Sequence, residues 1–293
     1  MIDRQKKNEK GFTLIEMMIA AAMGVVLLGA AIYTYTKQDK LLRNENRKLQ
    51  LRDFARMTMD ELEPMLRMAG NGLPPGNSVA GRDAIGIASA DATSITFLAN
   101  TDGVSTSLSL DCGALQYFVP VEESAGFAAG DSISIFDTRD PTRAEQRVLL
   151  SAGGGTLTPG LCPDLSGNVT TDGLFWGTGN LLTNMYRPFL NGAAVVVYKY
   201  NTITYTYNSG PQTITVTDDQ GNGTNITTTV ANNVSDLTFS YFDATGGALT
   251  IPLSASELAA IRRMNVSLTI VDETEPDETV LLITDINMRN MGT

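Results

Sequence analysis

Residues 17–33 carry no charged side chain, and the apolar character reaches back to Phe12 past a single carboxylate, Glu16. This is close to the roughly 20 residues that cross a bilayer core. Lipid offers no water to backbone groups, so a lone crossing segment must satisfy its own N–H and C=O groups, and a helix does so. The run therefore predicts a membrane-spanning helix from which the rest of the chain is suspended. A removable secretory signal and a plain single-span anchor both begin this way. A signal would place small residues behind its apolar core as a cleavage site. Here Ala20, Ala21, Ala22 and Gly24 lie inside the run, which passes into a further helix-like stretch. Charge asymmetry leaves orientation open. Lys37, Lys40, Arg43, Arg47 and Lys48 follow the run and rival the basic residues before it.

The charge balance narrows the class. Residues 1–11 hold Arg4, Lys6, Lys7 and Lys10 against Asp3 and Glu9, a net of +2. Against the chain's formal −11, that leaves −13 for the remainder. A nucleic-acid binder would present a basic face, and none is predicted. An acidic balance suits a domain in an aqueous compartment. The chain has no histidine. His-based triads, His metal ligands and the usual pH switch are therefore excluded together.

Basic residues, Gly11, the run Phe12-Thr13-Leu14-Ile15-Glu16 and an apolar stretch stand in fixed order near the N-terminus. This order resembles the class III (prepilin) leader of type IV pilin-like proteins. The resemblance implies cleavage after Gly11 by a prepilin peptidase on the cytoplasmic face, with methylation of the new terminal amine on Phe12. It also implies a role for Glu16. An isolated carboxylate within a bilayer costs about 2.5–3.5 kcal/mol at a helix centre and is expected to pair. In the family the matching glutamate pairs with the terminal amine of a neighbouring subunit, which sets axial register. The partners implied are other minor and major pilins, met through the N-terminal helix, together with the prepilin peptidase and methylase. Many major pilins carry a proline midway along this helix. Here residues 27–33 contain none, which favours a minor pilin. Gly24 and Gly29 weaken a helix without kinking it as proline does. Ala20 and Gly24, four apart, allow close helix contact.

Beyond the span the helix is expected to continue. Residues 37–69 contain no glycine and one proline, Pro64. Leu51, Phe54, Leu62, Met65, Leu66 and Ala69 recur at three- and four-residue steps, as on one helix face. Pro64 is expected to bend the helix or start a new one. The run Gly70-Asn71-Gly72-Leu73-Pro74-Pro75-Gly76 ends it. Residues 12–69 as one helix would reach about 87 Å. The stretch 66–74 resembles the stalk end of PilW-type minor pilins. Residues 234–246, followed by 261–271, resemble the same group and the J-type minor pseudopilins of type II secretion.

The remainder reads as strands. Ile203, Tyr205 and Tyr207 alternate with threonines. Leu237, Phe239 and Tyr241 alternate with Thr238 and Ser240, and Val266, Leu268 and Ile270 with Ser267 and Thr269. Shorter candidates fall at 94–99, 132–136 and 147–150. Residues 208–211 and 218–223 read as turns. Ser254 and Glu257 form a capping-box pattern before a short helix. The predicted fold class is α+β, a pilin-like lollipop whose long N-terminal helix packs on a β-rich globular head. Its expected division is leader 1–11, membrane or filament-core helix 12–36, amphipathic half 37–72 and periplasmic head 73–293.

No catalytic residues, cofactor or metal site are expected. Asp218, Gln220 and Asn222 alternate before Gly223 but lack the pattern and distal Glu of a calcium loop, so a polar turn explains them better. The acidic stretch 272–278 reads as a solvated loop. No phosphate loop and no base for a nucleophile is present. The expected function is that of a PilW-like minor pilin in the assembly or priming of a type IV pilus, within a tip complex. The alternatives are a J-type minor pseudopilin, or a pilus-borne adhesin whose head binds a ligand through Tyr198, Tyr200, Tyr205 or Tyr207. Localisation would be the bacterial inner membrane, single-pass with the head in the periplasm, and then the filament.

Cys112 and Cys162 are the two cysteines. A pair exported from the cytoplasm favours a disulfide, the alternative being two buried thiols. Closing a loop of about 50 residues would contribute roughly 4 kcal/mol in the chain-entropy account. No Cys-x-x-Cys spacing supports a redox or zinc role. Thiol labelling of folded, exported protein without reductant is expected to leave both residues unmodified. Full labelling of both would refute the bridge.

Overall fold

Helix α1 (Leu14–Arg67) runs through 54 residues without a break. The computed structural model describes residues 13–74, 86–109, 118–157, 169–175, 195–273 and 278–288. Two compact units are present, Met1–Arg52 and Asp53–Thr293.

In the first unit, α1 exposes apolar side chains on all sides. Leu14, Met17, Val25, Leu27, Ile32 and Tyr35 are each more than half exposed. This helix is long and apolar enough to cross a membrane, and none of its apolar window is buried. Its hydroxyls are satisfied from within. Thr34 Oγ1 donates to the Ala30 carbonyl and Thr36 Oγ1 to the Tyr33 carbonyl, each at 2.9 Å. A Cβ at Gly24 or Gly29 would meet nothing within 4 Å.

The second unit is built from short antiparallel strands. They begin with β1 (Ile87–Ala90), β2 (Ser94–Ala99), β3 (Ser105–Ser107), β4 (Phe118–Val121) and β5 (Ser132–Asp137). Next come β6 (Asp140–Val148), β7 (Ser151–Leu157), β8 (Val169–Phe175), β9 (Val195–Lys199) and β10 (Asn201–Asn208). Then follow β11 (Thr213–Asp218), β12 (Ile226–Ala231), β13 (Val234–Phe242) and β14 (Ala248–Leu249). Helix α2 (Ala255–Ala260) precedes β15 (Arg263–Val271) and β16 (Thr279–Asn287). Among the described residues four sheets result, ordered β1-β2-β10-β11-β12, β14-β13-β15-β16, β3-β9-β5-β6 and β4-β8-β7.

The period-two patterns bury as expected. Ile203 and Tyr205 of β10, Leu237, Phe239 and Tyr241 of β13, and Met264, Val266, Leu268 and Ile270 of β15 are all buried. A further core gathers Val119 and Val121 of β4, Ile133 and Ile135 of β5, Leu174 of β8 and Val197 of β9. Ser254 caps α2 through a complete capping box with Glu257. Tyr205 and Tyr241 are drawn into the core by their rings. Burial first, and then nearby carboxylates, push both phenol pKa values far up. Tyr241 is anchored by donating to the Asp91 carbonyl at 2.9 Å.

Two expectations are revised. Pro64 does not start a new helix, since α1 continues through it to Arg67. Pro64 and Asp60, whose carbonyl loses its donor, are both exposed, so water can take the freed group. The buried stripe is Ala55, Thr58, Met59, Leu62, Leu66 and Ala69. Leu51, Phe54 and Met65 only flank it. Thr58 enters because its hydroxyl returns to the Phe54 carbonyl at 3.0 Å and leaves its methyl for packing. The glycine-rich segment after residue 151 forms β7, paired in register with β8 so that Gly153 faces Gly173. The Phe175 ring covers Gly173, whose missing Cβ would lie 3.1 Å from it. This aromatic cover supplies apolar contact that a glycine-rich strand lacks.

The end of α1 is tied to β2 through the backbone. Gly70 N–H donates to the Leu98 carbonyl and Asn100 N–H to the Asn71 carbonyl, both at 2.8 Å. Gly72 has φ +76°, and a Cβ there would lie 2.7 Å from Asn100 Cβ. Gly223 has nearly the same φ, +77°, but open space around it. Gly223→Ala should therefore cost only left-handed strain, about 1–2 kcal/mol. Gly72→Ala should cost about 1–3 kcal/mol more, because the Asn100 backbone must also shift. Urea unfolding of the two variants checks this, and equal losses would show that the turn relaxes freely.

Candidate functional site

The first turn of α1 is closed by a reciprocal set of bonds. Thr13 lies just ahead of Leu14, the first helical residue. Its backbone N–H and its Oγ1 both donate to Glu16 Oε2 at 2.9 Å. Glu16 N–H donates back to Thr13 Oγ1 at 3.3 Å. This is a capping box, in which orphan donors of the helix start are satisfied by side chains three residues apart. The carboxylate also lies where the helix dipole favours negative charge. One oxygen, Oε2, is engaged by Thr13. The other, Oε1, takes no bond among the described residues, and Glu16 is exposed.

Thr13 is the capping partner of Glu16 that the sequence reading passes over. Its signal is present in the chain: Thr-x-x-Glu ahead of an apolar run is the same signature that marks Ser254 and Glu257. Gly11 and Phe12, the expected cleavage and methylation positions, lie outside the described residues, as do Cys112 and Cys162.

The other candidates separate by their partners. In the loop after β11, Asp218 Oδ1 accepts from Gln220 N–H at 2.7 Å and Asp219 Oδ1 from Gly221 N–H at 2.9 Å. Asn222 Oδ1 accepts from Thr224 N–H at 2.8 Å. These side chains turn onto the loop's own backbone, as in a polar turn. Among the described residues no three or more Cys, Asp or Glu side chains converge as metal ligands would. Nearby, Lys199 Nζ lies 3.1 Å from Asp102 and 3.5 Å from the buried Asp131. Burial alone would lower its pKa, but the bond to Asp102 and the charges of Asp131 and Asp102 outweigh that and raise it.

Of the tyrosines, Tyr205 is buried, and Tyr207 donates its hydroxyl to the Val234 and Ser235 carbonyls at 3.1 and 2.6 Å. Both serve the core rather than a ligand. Tyr198 instead lines an open groove of about 420 Å³ with Ser105, Ser107, Glu122, Glu123 and Val196.

Residues 6–32 match the family described as the prokaryotic N-terminal methylation motif. Over 62 residues the chain is 36% identical to "Pilin-like protein PilA3" of Thermus thermophilus. That stretch is 21% of this chain and spans 27% of the relative's length. No solved structure matches the chain. The chain thus carries a prepilin-type methylation motif and is pilin-like over the matched stretch.

Thr13→Ala removes one side of the box and should cost about 1 kcal/mol at the start of α1. Thr13→Ser should retain most of it. Amide hydrogen exchange of the detergent-solubilised chain reads this directly: exchange at Glu16 and Met17 should quicken in the alanine variant only. Equal protection in all three proteins would show that the box does not hold the turn.

Proposed function

We propose that this chain is a PilW-like minor pilin that takes part in the assembly or priming of a type IV pilus, within a tip complex. One observation carries the reading. Directly behind the leader-like residues, Glu16 is held by Thr13 with one oxygen open, at the start of a helix whose apolar first half is exposed among the described residues. On this reading a prepilin peptidase cuts between Gly11 and Phe12, since glycine lets the backbone approach a catalytic site closely. The amine of Phe12 is then methylated. Residues 12–36 hold the chain in the inner membrane and later in the filament core. Residues 37–72 join this span to a periplasmic head, residues 73–293. The proline-free stretch 27–33 and the glycine turn 70–72 support a minor pilin of this group.

Glu16 then has two jobs that its geometry allows at once. Oε2 closes the helix start through Thr13. Oε1 accepts from the terminal amine of a neighbouring pilin, where low dielectric strengthens the attraction. Truncating a buried charged pair can cost several kcal/mol, much of it from the partner left unpaired. Removing Glu16 also removes its own desolvation cost, so a partial loss of association is expected.

Mass spectrometry of the mature chain should find methylated Phe12 at its start, whereas an N-terminus beyond Ala22 would establish an ordinary signal peptide. Glu16→Ala should leave the leader cleavable and the β-rich unit folded, yet reduce co-immunoprecipitation with minor pilins and the number of pili. Unchanged association and normal piliation would remove Glu16 from the mechanism. Recovery with a secretion system rather than a pilus would move the chain to the J-type group.

A further inference from the structure

Charge divides sharply along this chain. Asp53–Thr293 holds 27 of the 32 acidic residues and 11 of the 21 basic ones, a net of −16. Residues 37–52, just behind the apolar run, hold Lys37, Lys40, Arg43, Arg47, Lys48 and Arg52 against Asp39 and Glu45, a net of +4. At about 100° per residue, Lys37, Lys40, Arg47 and Lys48 fall within about 100° of one another around the helix. Arg43 bonds Asp39 at 2.9 Å with its side chain 73% exposed, so its charge still faces outward. Lys37 lies over the Tyr33 ring, 5.8 Å from its centre.

Lipid headgroups account for only the first part of this collar. Residues 37 to 52 rise about 22 Å along a helix. The polar layer on each side of a bilayer is only about 5–8 Å deep. From Arg43 onward the collar stands beyond it, where its net positive charge can face a protein surface.

The groove on the β-rich unit has the opposite chemistry. Among the described residues its charged lining side chains are those of Glu122 and Glu123. Ser107 Oγ donates to Glu122 Oε2 at 2.7 Å, and Glu123 N–H donates to Thr106 Oγ1 at 3.2 Å. These bonds hold both glutamates against the edge strand β3. The Tyr198 ring is fixed by stacking on Phe136, with centroids 5.8 Å apart. Two carboxylates, serine hydroxyls and a fixed aromatic ring match an ammonium or guanidinium group by charge, hydrogen bonding and ring quadrupole.

We propose that this groove receives lysine and arginine side chains from residues 37–52 of a second copy of the chain. The proposal rests on the reading of the chain as a filament subunit. The contact joins two different surfaces, so it is heterologous, and the rotation between copies sets whether it closes into a ring or stays open. It is screened by salt.

The test uses the purified full-length mature chain in detergent, with Tyr198→p-benzoylphenylalanine as a photo-crosslinker. Illumination at low salt should join Tyr198's position to a peptide from residues 37–52 of another copy. The yield should fall at least fivefold in about 0.5 M salt, where screening is strong. Glu122→Lys with Glu123→Lys should abolish the crosslink, and Lys40→Glu with Arg43→Glu should do the same. Mixing the two charge-reversed proteins should restore it. Crosslinks outside residues 37–52, salt-independent yield or failure of the mixture to restore would each overturn the proposal. So would a collar variant that loses only binding to anionic vesicles while its crosslink persists, which would assign the collar to lipid. None of these readouts requires a pilus. Failure of the pilin reading would appear instead in the N-terminal mass and the Glu16→Ala assays.

Discussion

The apolar side chains in the first half of α1 are exposed among the described residues. Leu14, Ile15, Met17, Met18 and their successors to Tyr35 are exposed on every side of the helix. Each large apolar side chain left in water forgoes about 1.5–3 kcal/mol of burial. The segment is therefore stable only in lipid or among other apolar helices. Glu16 has to be understood inside that constraint. A carboxylate in such a medium needs donors, and Thr13 supplies two of them to one oxygen. The helix thus carries its charge at a cost reduced by its own first turn, and the second oxygen is left for a donor from elsewhere.

Further along, the same helix changes its medium. From Ala55 to Ala69 its buried positions recur at three- and four-residue steps, and its other faces carry Arg56, Asp60 and Arg67. The end is then fixed by backbone bonds rather than by side chains. Gly70 and Asn71 bond directly to the strand end at Leu98 and Asn100. Side chains would hold the main chains of Gly72 and Asn100 too far apart for this arrangement, so glycine at 72 is a matter of space as well as of φ. The result is a helix terminus whose position is set by the end of an inner strand, β2, which is a stiffer connection than a linker of similar length.

The β-rich unit spreads its core through several small sheets instead of one large one. Short strands with alternating burial need little sequence length each. They also allow irregular positions, such as Gly173, which is covered by Phe175 and paired with Gly153. Polar loops close on themselves, as Asp218, Asp219 and Asn222 do after β11, and Asp243 does after β13, where it accepts from Thr245 and Gly247 N–H groups. The bond from the Thr245 hydroxyl and those from the loop backbone hold the Asp243 carboxyl below its ordinary range.

Local features were legible without coordinates. An uncharged run of this length dictates a helix because backbone groups in lipid must pair within their own segment. The alternation in residues 203–207, 237–241 and 266–270 dictates strands because successive side chains point to opposite faces. Ser254 and Glu257 announce a helix start by spacing alone, and Thr13 with Glu16 does so equally. Tertiary structure alone decided the rest. It joined β2 to β10 across a hundred residues and paired glycine-rich β7 with β8. It also sent Tyr205 into the core while Tyr198 lines a groove. These outcomes depend on pairings between residues distant in the chain, where burial and register, rather than any residue's own preference, select one arrangement among many.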